Sequence, residues 1–350
     1  MENSEINQDP LPKKSIRRRY ILAAVCFALL ITVAFAIAIV NWQPKPDPAS
    51  EKIIREAVAF QLNRGPNELT DEDFAQITKL FISGKELYDI KVLEKFSNLE
   101  ELVFQDISFK MPKWMKILAK IGINNFPGTT ELDLSPLAKL SKLKQLSLVN
   151  IPIKTIKPLE SLNNLNLLCI SNSQISDLEP IKRLTNLNSL LLDNTPVSDF
   201  VPITGLKNLQ QLCLARTQIT DFNIIKQLPN LEILAIDDAR FADLELLNGL
   251  TKLRELAIIN TQVTNLNPLK GLLNLQKLSI SGTSISNLEQ LKELKNLREL
   301  QLTNTLISDL EILKGLRKLE TLRITNCSYI TDEQIEILKD ALPNLEILRW

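Results

Sequence analysis

The 350-residue sequence contains no histidine, so cysteine and aspartate are its main candidates for reactive side chains. The absence of histidine removes the Ser-His-Asp and Cys-His catalytic schemes and the commonest zinc ligand. The sequence also lacks a glycine-rich phosphate loop, and its cysteines, which show no CxxC spacing, are Cys26, Cys169, Cys213 and Cys327. We therefore expect no catalytic residue, no metal and no cofactor, and we interpret the cysteines as small apolar residues.

A 22-residue repeat positions most of the remaining side chains. Successive units open at the leucines Leu184, Leu206, Leu228, Leu250, Leu272, Leu294 and Leu316. Each unit carries the pattern Leu-x-x-Leu-x-x-Leu-x-Leu, whose final alternation predicts a short strand with alternate residues inward. Repeats of this length are typical of solenoids, in which stacked units bury one continuous core. Cys169 and Cys213 lie two units apart, so a separation of roughly 9–10 Å excludes a disulfide.

Two other columns recur at the same interval. A proline column predicts a tight turn or the first turn of a short helix; it comprises Pro158, Pro180, Pro202 and Pro268. A threonine column predicts buried hydroxyls that satisfy backbone groups where the chain leaves the strand; it comprises Thr195, Thr217, Thr261, Thr283 and Thr305.

The N-terminal region predicts a membrane anchor. Residues 1–19 are polar and basic, and a charge-free run follows within residues 20–42, long enough as a helix to cross the hydrocarbon core of about 30 Å. Because Arg17, Arg18 and Arg19 precede the run, the positive-inside rule places the N-terminus in the cytoplasm and the repeats outside. A cleaved signal peptide and a buried soluble helix are the alternatives that we weighed.

The rest of the chain divides into three predicted segments. A Pro-rich linker spans 43–50, and a helical N-terminal cap spans 51–73, with Ser50 expected to cap its first helix and Thr70 with Asp73 forming a capping box. The repeat domain spans 74–350 in about 11–12 units. Its pattern breaks at 111–128, either through an insertion or through a distorted unit, and its longer terminal unit covers 316–350. There, Thr331 with Gln334 predicts a second capping box and helix.

The units resemble internalin-type bacterial leucine-rich repeats. The resemblance rests on pieces such as Asn260-Thr261-Gln262-Val263-Thr264-Asn265-Leu266-Asn267-Pro268-Leu269. Threonine here often replaces the asparagine of the family pattern. The resemblance implies an α/β leucine-rich repeat solenoid, with a curved parallel sheet on the concave face and short 3-10 or irregular segments on the convex face. The charge-free run within 20–42 adds one transmembrane helix before it.

The residues between the inward leucines are expected to line the concave face, where the middle units are the least polar. Such an exposed apolar area is typical of a binding surface, although small residues could also simply fit the inside of a curved sheet. Asp193, Asp237 and Asp238 could select a basic partner from the rim of this area, or could merely be solvated. The candidate partner-binding residues are Leu167, Leu191, Asp193, Gln211, Cys213, Ile233, Ala235, Asp237, Ala257 and Ile259.

Charge indicates no nucleic-acid partner, because the chain has 41 basic and 41 acidic residues. The sequence therefore favours a non-catalytic, single-pass membrane protein that binds a protein ligand outside the cytoplasmic membrane of a bacterial envelope, with no small-molecule substrate. Two alternatives remain at this stage: a structural envelope spacer, and a soluble-type regulatory repeat protein that binds an enzyme.

Overall fold

The computed structural model describes residues 48–87, 89–109 and 132–349. Four of the predictions above concern residues outside these ranges: the tail at 1–19, the transmembrane helix at 20–42, the first part of the linker at 43–47 and the irregular segment at 111–128. Within the described ranges, no helix combines the length and the apolarity needed to cross a bilayer.

Fourteen short strands lie in the described part of the chain. They are β1 (Lys79–Ser83), β2 (Glu86–Leu87), β3 (Glu101–Gln105), β4 (Ser108–Phe109), β5 (Gln145–Val149), β6 (Leu167–Cys169), β7 (Ser189–Leu191), β8 (Gln211–Cys213), β9 (Ile233–Ala235), β10 (Glu255–Ala257), β11 (Lys277–Ser279), β12 (Glu299–Gln301), β13 (Thr321–Arg323) and β14 (Glu346–Leu348). All except β2 and β4 form one twelve-stranded sheet in chain order, and β2 pairs with β4 separately. Every pairing in both sheets is parallel, as predicted for a solenoid.

The register of the sheet follows the repeat. Leu190 of β7 lies beside Leu212 of β8, and both are fully buried, while Leu191, Gln211 and Cys213 beside them are partly exposed. The first units, which the sequence placed at Phe74 and Phe96, are in the same register, with Leu80 of β1 beside Leu102 of β3. The predicted alternation is therefore confirmed from the first strand onward.

Strand pairing crosses the pattern break between Phe96 and Leu140. β3 pairs directly with β5, and Leu102 lies beside Leu146. These leucines are two repeat lengths apart in sequence, so no strand from the intervening residues separates β3 from β5. The two predicted alternatives, an insertion and a distorted unit, concern residues outside the described ranges and stay predictions.

Ten 3-10 helices run along the opposite side of the described units. Their bounds are Lys91–Lys95, Ser135–Lys139, Lys157–Leu159, Glu179–Ile181, Val201–Gly205, Phe222–Gln227, Leu244–Leu247, Asn267–Gly271, Glu289–Glu293 and Glu311–Gly315. All four members of the proline column lie in the first turn of such a helix, where a missing N–H costs nothing. The proline prediction is confirmed.

Side-chain ladders join neighbouring units around one continuous core. In the threonine column, every hydroxyl donates to the carbonyl oxygen three residues earlier at 2.6–2.8 Å, which confirms the predicted role. A second ladder was not anticipated: an asparagine in most units donates its amide to a backbone carbonyl of the preceding unit. Its members include Asn164, Asn186, Asn208, Asn230, Asn274 and Asn296.

Helices α1 (Pro48–Leu62) and α2 (Asp71–Gln76) cover the N-terminal end of the core. The prediction that Ser50 caps α1 is wrong, because proline begins the helix and Ser50 lies buried within its first turn. Its hydroxyl instead accepts a hydrogen bond from the backbone N–H of Asp89 at 3.3 Å. The capping box of α2 is confirmed, with the Thr70 N–H donating to Asp73 at 2.8 Å.

The C-terminal end is covered by helix α3 (Asp332–Ala341), whose predicted capping box is also present. The Thr331 N–H donates to Gln334 at 2.9 Å, and the Gln334 N–H donates back to the threonine hydroxyl at 3.2 Å. Strand β14 then adds to the edge of the sheet beside β13.

Candidate functional site

The concave face consists of the side chains that alternate with the inward leucines of the twelve-stranded sheet. Three columns cross its middle strands, β6 to β10. The first contains Leu167, Ser189, Gln211, Ile233 and Glu255; the second contains Cys169, Leu191, Cys213, Ala235 and Ala257; the third, just beyond the strand ends, contains Ser171, Asp193, Ala215, Asp237 and Ile259.

The structure brings all ten predicted site residues together on these five strands. Each of them is half-buried, so each presents part of its side chain to solvent. Leu191, Ile233 and Ile259 give this area its apolar character and are too large to be explained by crowding inside a curved sheet. We call the ten residues the central patch, and their role in binding stays a prediction.

The three aspartates of the predicted rim differ in their surroundings. Asp193 accepts a hydrogen bond from the backbone N–H of Ala215 at 2.9 Å, and Asp237 accepts one from Ile259 at 2.7 Å. Each thus closes the ladder where two neighbouring strands end. Partial burial raises the pKa of both carboxyls, although the hydrogen bonds act in the opposite direction. Only these two aspartates lie within the central patch.

Asp238 instead belongs to the turn after β9. It is exposed, accepts hydrogen bonds from Asn260 at 2.8 Å and from Arg216 at 2.9 Å, and these bonds lower its pKa. Its charge is thus paired within the turn, so the interpretation of the three aspartates as one rim was wrong for this residue.

The turn column that contains Asp238 was missed in the sequence. It adopts a left-handed backbone, with φ between 53° and 57° at Asp106, Asn150, Asn172, Asn194, Arg216, Asp238, Asn260, Asn304 and Asn326. Asparagine, aspartate and glycine tolerate this conformation best, and their recurrence every 22 residues was the available signal. Arg216 departs from that preference beside the central patch.

The two thiols on this face, Cys169 and Cys213, are buried and half-buried, respectively. Burial raises the pKa of Cys213 to about 12, and the charge of Asp193 acts in the same direction. Such a thiol is protonated near neutral pH and is a poor nucleophile or metal ligand. Cys169 and Cys213 are unpaired. Among the described residues, no three cysteine, aspartate or glutamate side chains are grouped closely enough to hold a metal ion.

Two further apolar side chains lie on this face towards the N-terminus, beyond the polar residues of β5. Phe81 of β1 belongs to the second column and is 57% exposed, and Val103 of β3 follows it. Both lie at multiples of the repeat length before Ser147, where the predicted column began. The signal was therefore present, but the column was not continued through the first two units.

Towards the C-terminus, the face becomes charged. Lys277 lies between Glu255 and Glu299, with nitrogen-oxygen distances of 3.5 and 3.4 Å, and the two carboxylates raise the pKa of the lysine. A shallow hollow of about 220 Å³ lies at the border between this ladder and the central patch. The change of polarity at β10 and β11 marks the end of the apolar surface.

Known proteins with similar sequence or structure share this architecture. A family model for two copies of leucine-rich repeats matches residues 273–315. An internalin (inlF) from Listeria monocytogenes is 28% identical, with a TM-score of 0.65, over 87% of this chain and 91% of its own. An internalin C2 (inlC2) from the same species is 34% identical, with a TM-score of 0.51, over 60% of this chain and 90% of its own.

A leucine-rich repeat protein from Leptospira interrogans is 26% identical, with a TM-score of 0.62, over 80% of this chain and 74% of its own. No curated protein sequence matches the chain.

Proposed function

The chain belongs to the internalin-like leucine-rich repeat proteins, and on this premise we propose that it is a non-catalytic protein whose concave face binds a protein partner. The observation that carries the proposal is the central patch. Leu191 on β7, Ile233 on β9 and Ile259 just after β10 each expose part of their apolar surface on one sheet. Contiguous apolar surface of this kind is typical of interaction sites.

The protonated state of the Cys213 thiol supports a binding role over a catalytic one. The raised pKa of Cys213 disfavours the thiolate that a cysteine nucleophile requires. A stoichiometric metal or organic cofactor in the purified protein would instead favour an enzymatic function.

The membrane anchor forms the second part of the proposal. The charge-free run within 20–42 follows three arginines, and this sequence pattern supports a single-pass helix with the repeats outside the cytoplasmic membrane. Protease added to intact cells would then remove the repeat domain. Digestion only after the cells are opened would instead favour a regulatory repeat protein inside the cell.

Partner capture tests the assigned face. Full-length protein carrying Leu191→Glu and Ile233→Glu is compared with the parent, and partner recovery is expected to fall at least tenfold. The matched control is Val201→Glu with Leu273→Glu, which adds the same charges at exposed positions away from the concave face. Glutamate already occupies the position of Val201 in other units, as Glu179 and Glu289. Equal recovery by all three proteins contradicts the proposal.

Rigidity supports an envelope spacer as a second candidate. The asparagine ladder ties most units to the unit before them and would maintain a fixed length. A spacer tolerates charges on the concave face but loses function when one 22-residue unit is deleted.

A further inference from the structure

The charges of the concave face are unevenly distributed. On β6 to β10, the three columns contain no lysine or arginine, and their acidic members are Asp193, Asp237 and Glu255. Glu255 is paired with Lys277 at 3.5 Å. The middle of the face therefore presents two carboxylates in apolar surroundings.

Neither carboxylate has a cationic partner within the described part of the chain. Asp193 and Asp237 each use one oxygen, Oδ1, to accept a backbone N–H, which fixes the side chain in place. Arg216 is close enough to act on the charge of Asp237, but it forms its ion pair with Asp238 at 2.9 Å. Partial burial of a carboxylate without a countercharge costs free energy, and a cation supplied by a partner would offset this cost.

The spacing of the two carboxylates restricts the shape of that partner. Asp193 follows β7 and Asp237 follows β9, so one strand lies between them and their separation is about 9–10 Å. An extended polyproline II segment repeats every three residues, at about 3.1 Å per residue, and thus places every third side chain about 9.3 Å apart on one side. The distance across two strand spacings therefore matches the length of one turn of a polyproline II segment.

We propose that the central patch binds an extended polypeptide segment that crosses the strands and carries lysine or arginine at every third position, opposite Asp193 and Asp237. This inference rests on the proposed function and specifies its partner. The apolar residues of the segment pack on Leu191, Ile233 and Ile259. Ala215 lies between the two carboxylates in their column, and its small side chain leaves room for the backbone of the segment.

Two dodecapeptides provide the probe. One repeats Leu-Pro-Lys four times, the other Leu-Pro-Glu, and both carry fluorescein for anisotropy titrations with the full-length protein. We expect the lysine peptide to bind and the glutamate peptide not to bind. Asp193→Asn and Asp237→Asn should each weaken binding about tenfold. Asparagine retains the Oδ1 acceptor, so these variants remove the charge without removing the hydrogen bond.

Asp199→Asn is the matched control. Asp199 lies on the 3-10 side, where its oxygen accepts the Val201 N–H, and Asn265 performs the same role in another unit. The Asp199→Asn variant should bind the lysine peptide with the same affinity as the parent. Equal affinity for both peptides, or unchanged affinity in Asp193→Asn and Asp237→Asn, overturns the inference.

Partner capture separates this inference from the proposed function. If Leu191→Glu with Ile233→Glu abolishes partner recovery but Asp193→Asn with Asp237→Asn does not, the face binds a protein by other chemistry. The basic-segment inference then fails while the proposed function stands. If both double variants lose the partner and both aspartate variants lose the lysine peptide, both conclusions are supported.

Discussion

Thr261→Val tests the threonine column at a position where the structure leaves water little access. The Thr261 hydroxyl donates to the Ile258 carbonyl oxygen at 2.7 Å, and the residue is 6% exposed. Valine preserves the shape of the side chain but cannot donate. The carbonyl loses this donor in a buried environment, and we expect the free energy of unfolding to fall by about 1–2 kcal/mol. Thr283→Val should behave alike, because its hydroxyl makes the same bond at 2.6 Å.

Thr217→Val is the control within the same column. Thr217 is half-buried, and its own backbone N–H also approaches the Leu214 carbonyl oxygen at 3.3 Å. Water and this N–H can therefore compensate for the lost hydroxyl, so the expected cost is below about 1 kcal/mol.

Urea titrations followed by far-ultraviolet circular dichroism measure these differences. The comparison requires equal slopes with denaturant for the parent and the variants, since a solenoid can lose cooperativity. A Thr217→Val variant as destabilised as Thr261→Val would refute the argument from burial. A Thr261→Val variant within 0.3 kcal/mol of the parent, roughly the limit of such measurements, would refute the role of the hydroxyl.

Three further predictions concern stability. Leu256→Ala should cost about 2–5 kcal/mol by leaving a core cavity, and an unchanged thermal melt would contradict the register. Arg216→Asn should stabilise the protein by about 0.5–1 kcal/mol, since relief of the left-handed strain exceeds the value of an exposed ion pair; a lower urea midpoint would contradict this. Asp193→Asn should raise the urea midpoint at pH 7. Burial raises the pKa of Asp193, so the parent loses stability as pH rises from 3.8 through the pKa of the folded state. The stability gained by Asp193→Asn should therefore vanish on acidification through the same pH range. A gain that does not depend on pH would exclude burial of the Asp193 charge as its cause.

The core and its columns were predictable because each position is repeated. One leucine is ambiguous, but a leucine such as Leu212 that recurs at a fixed interval on both sides belongs to a continuous core. The same reasoning predicted the threonine and proline columns. Phe81 lies in that register too, so its exposure on the concave face followed from information that the sequence contained.

Other features depend on geometry that periodicity does not specify. The repeat assigns Asp193 to a face, but whether its carboxylate meets a backbone N–H depends on where the neighbouring strand ends. Similarly, an insertion of one repeat length preserves the register of the leucines that follow. The direct pairing of β3 with β5 across two repeat lengths was therefore not predictable from the leucine spacing.

Site-specific photo-crosslinking in intact cells tests the central claim most directly. A photoreactive phenylalanine derivative replaces Ala235 on the concave face or, as a control, Leu273, which is 54% exposed elsewhere on the solenoid. Irradiation should join a partner protein to the chain through position 235 and not through position 273. Crosslinks at position 273 alone would contradict a binding function for the concave face.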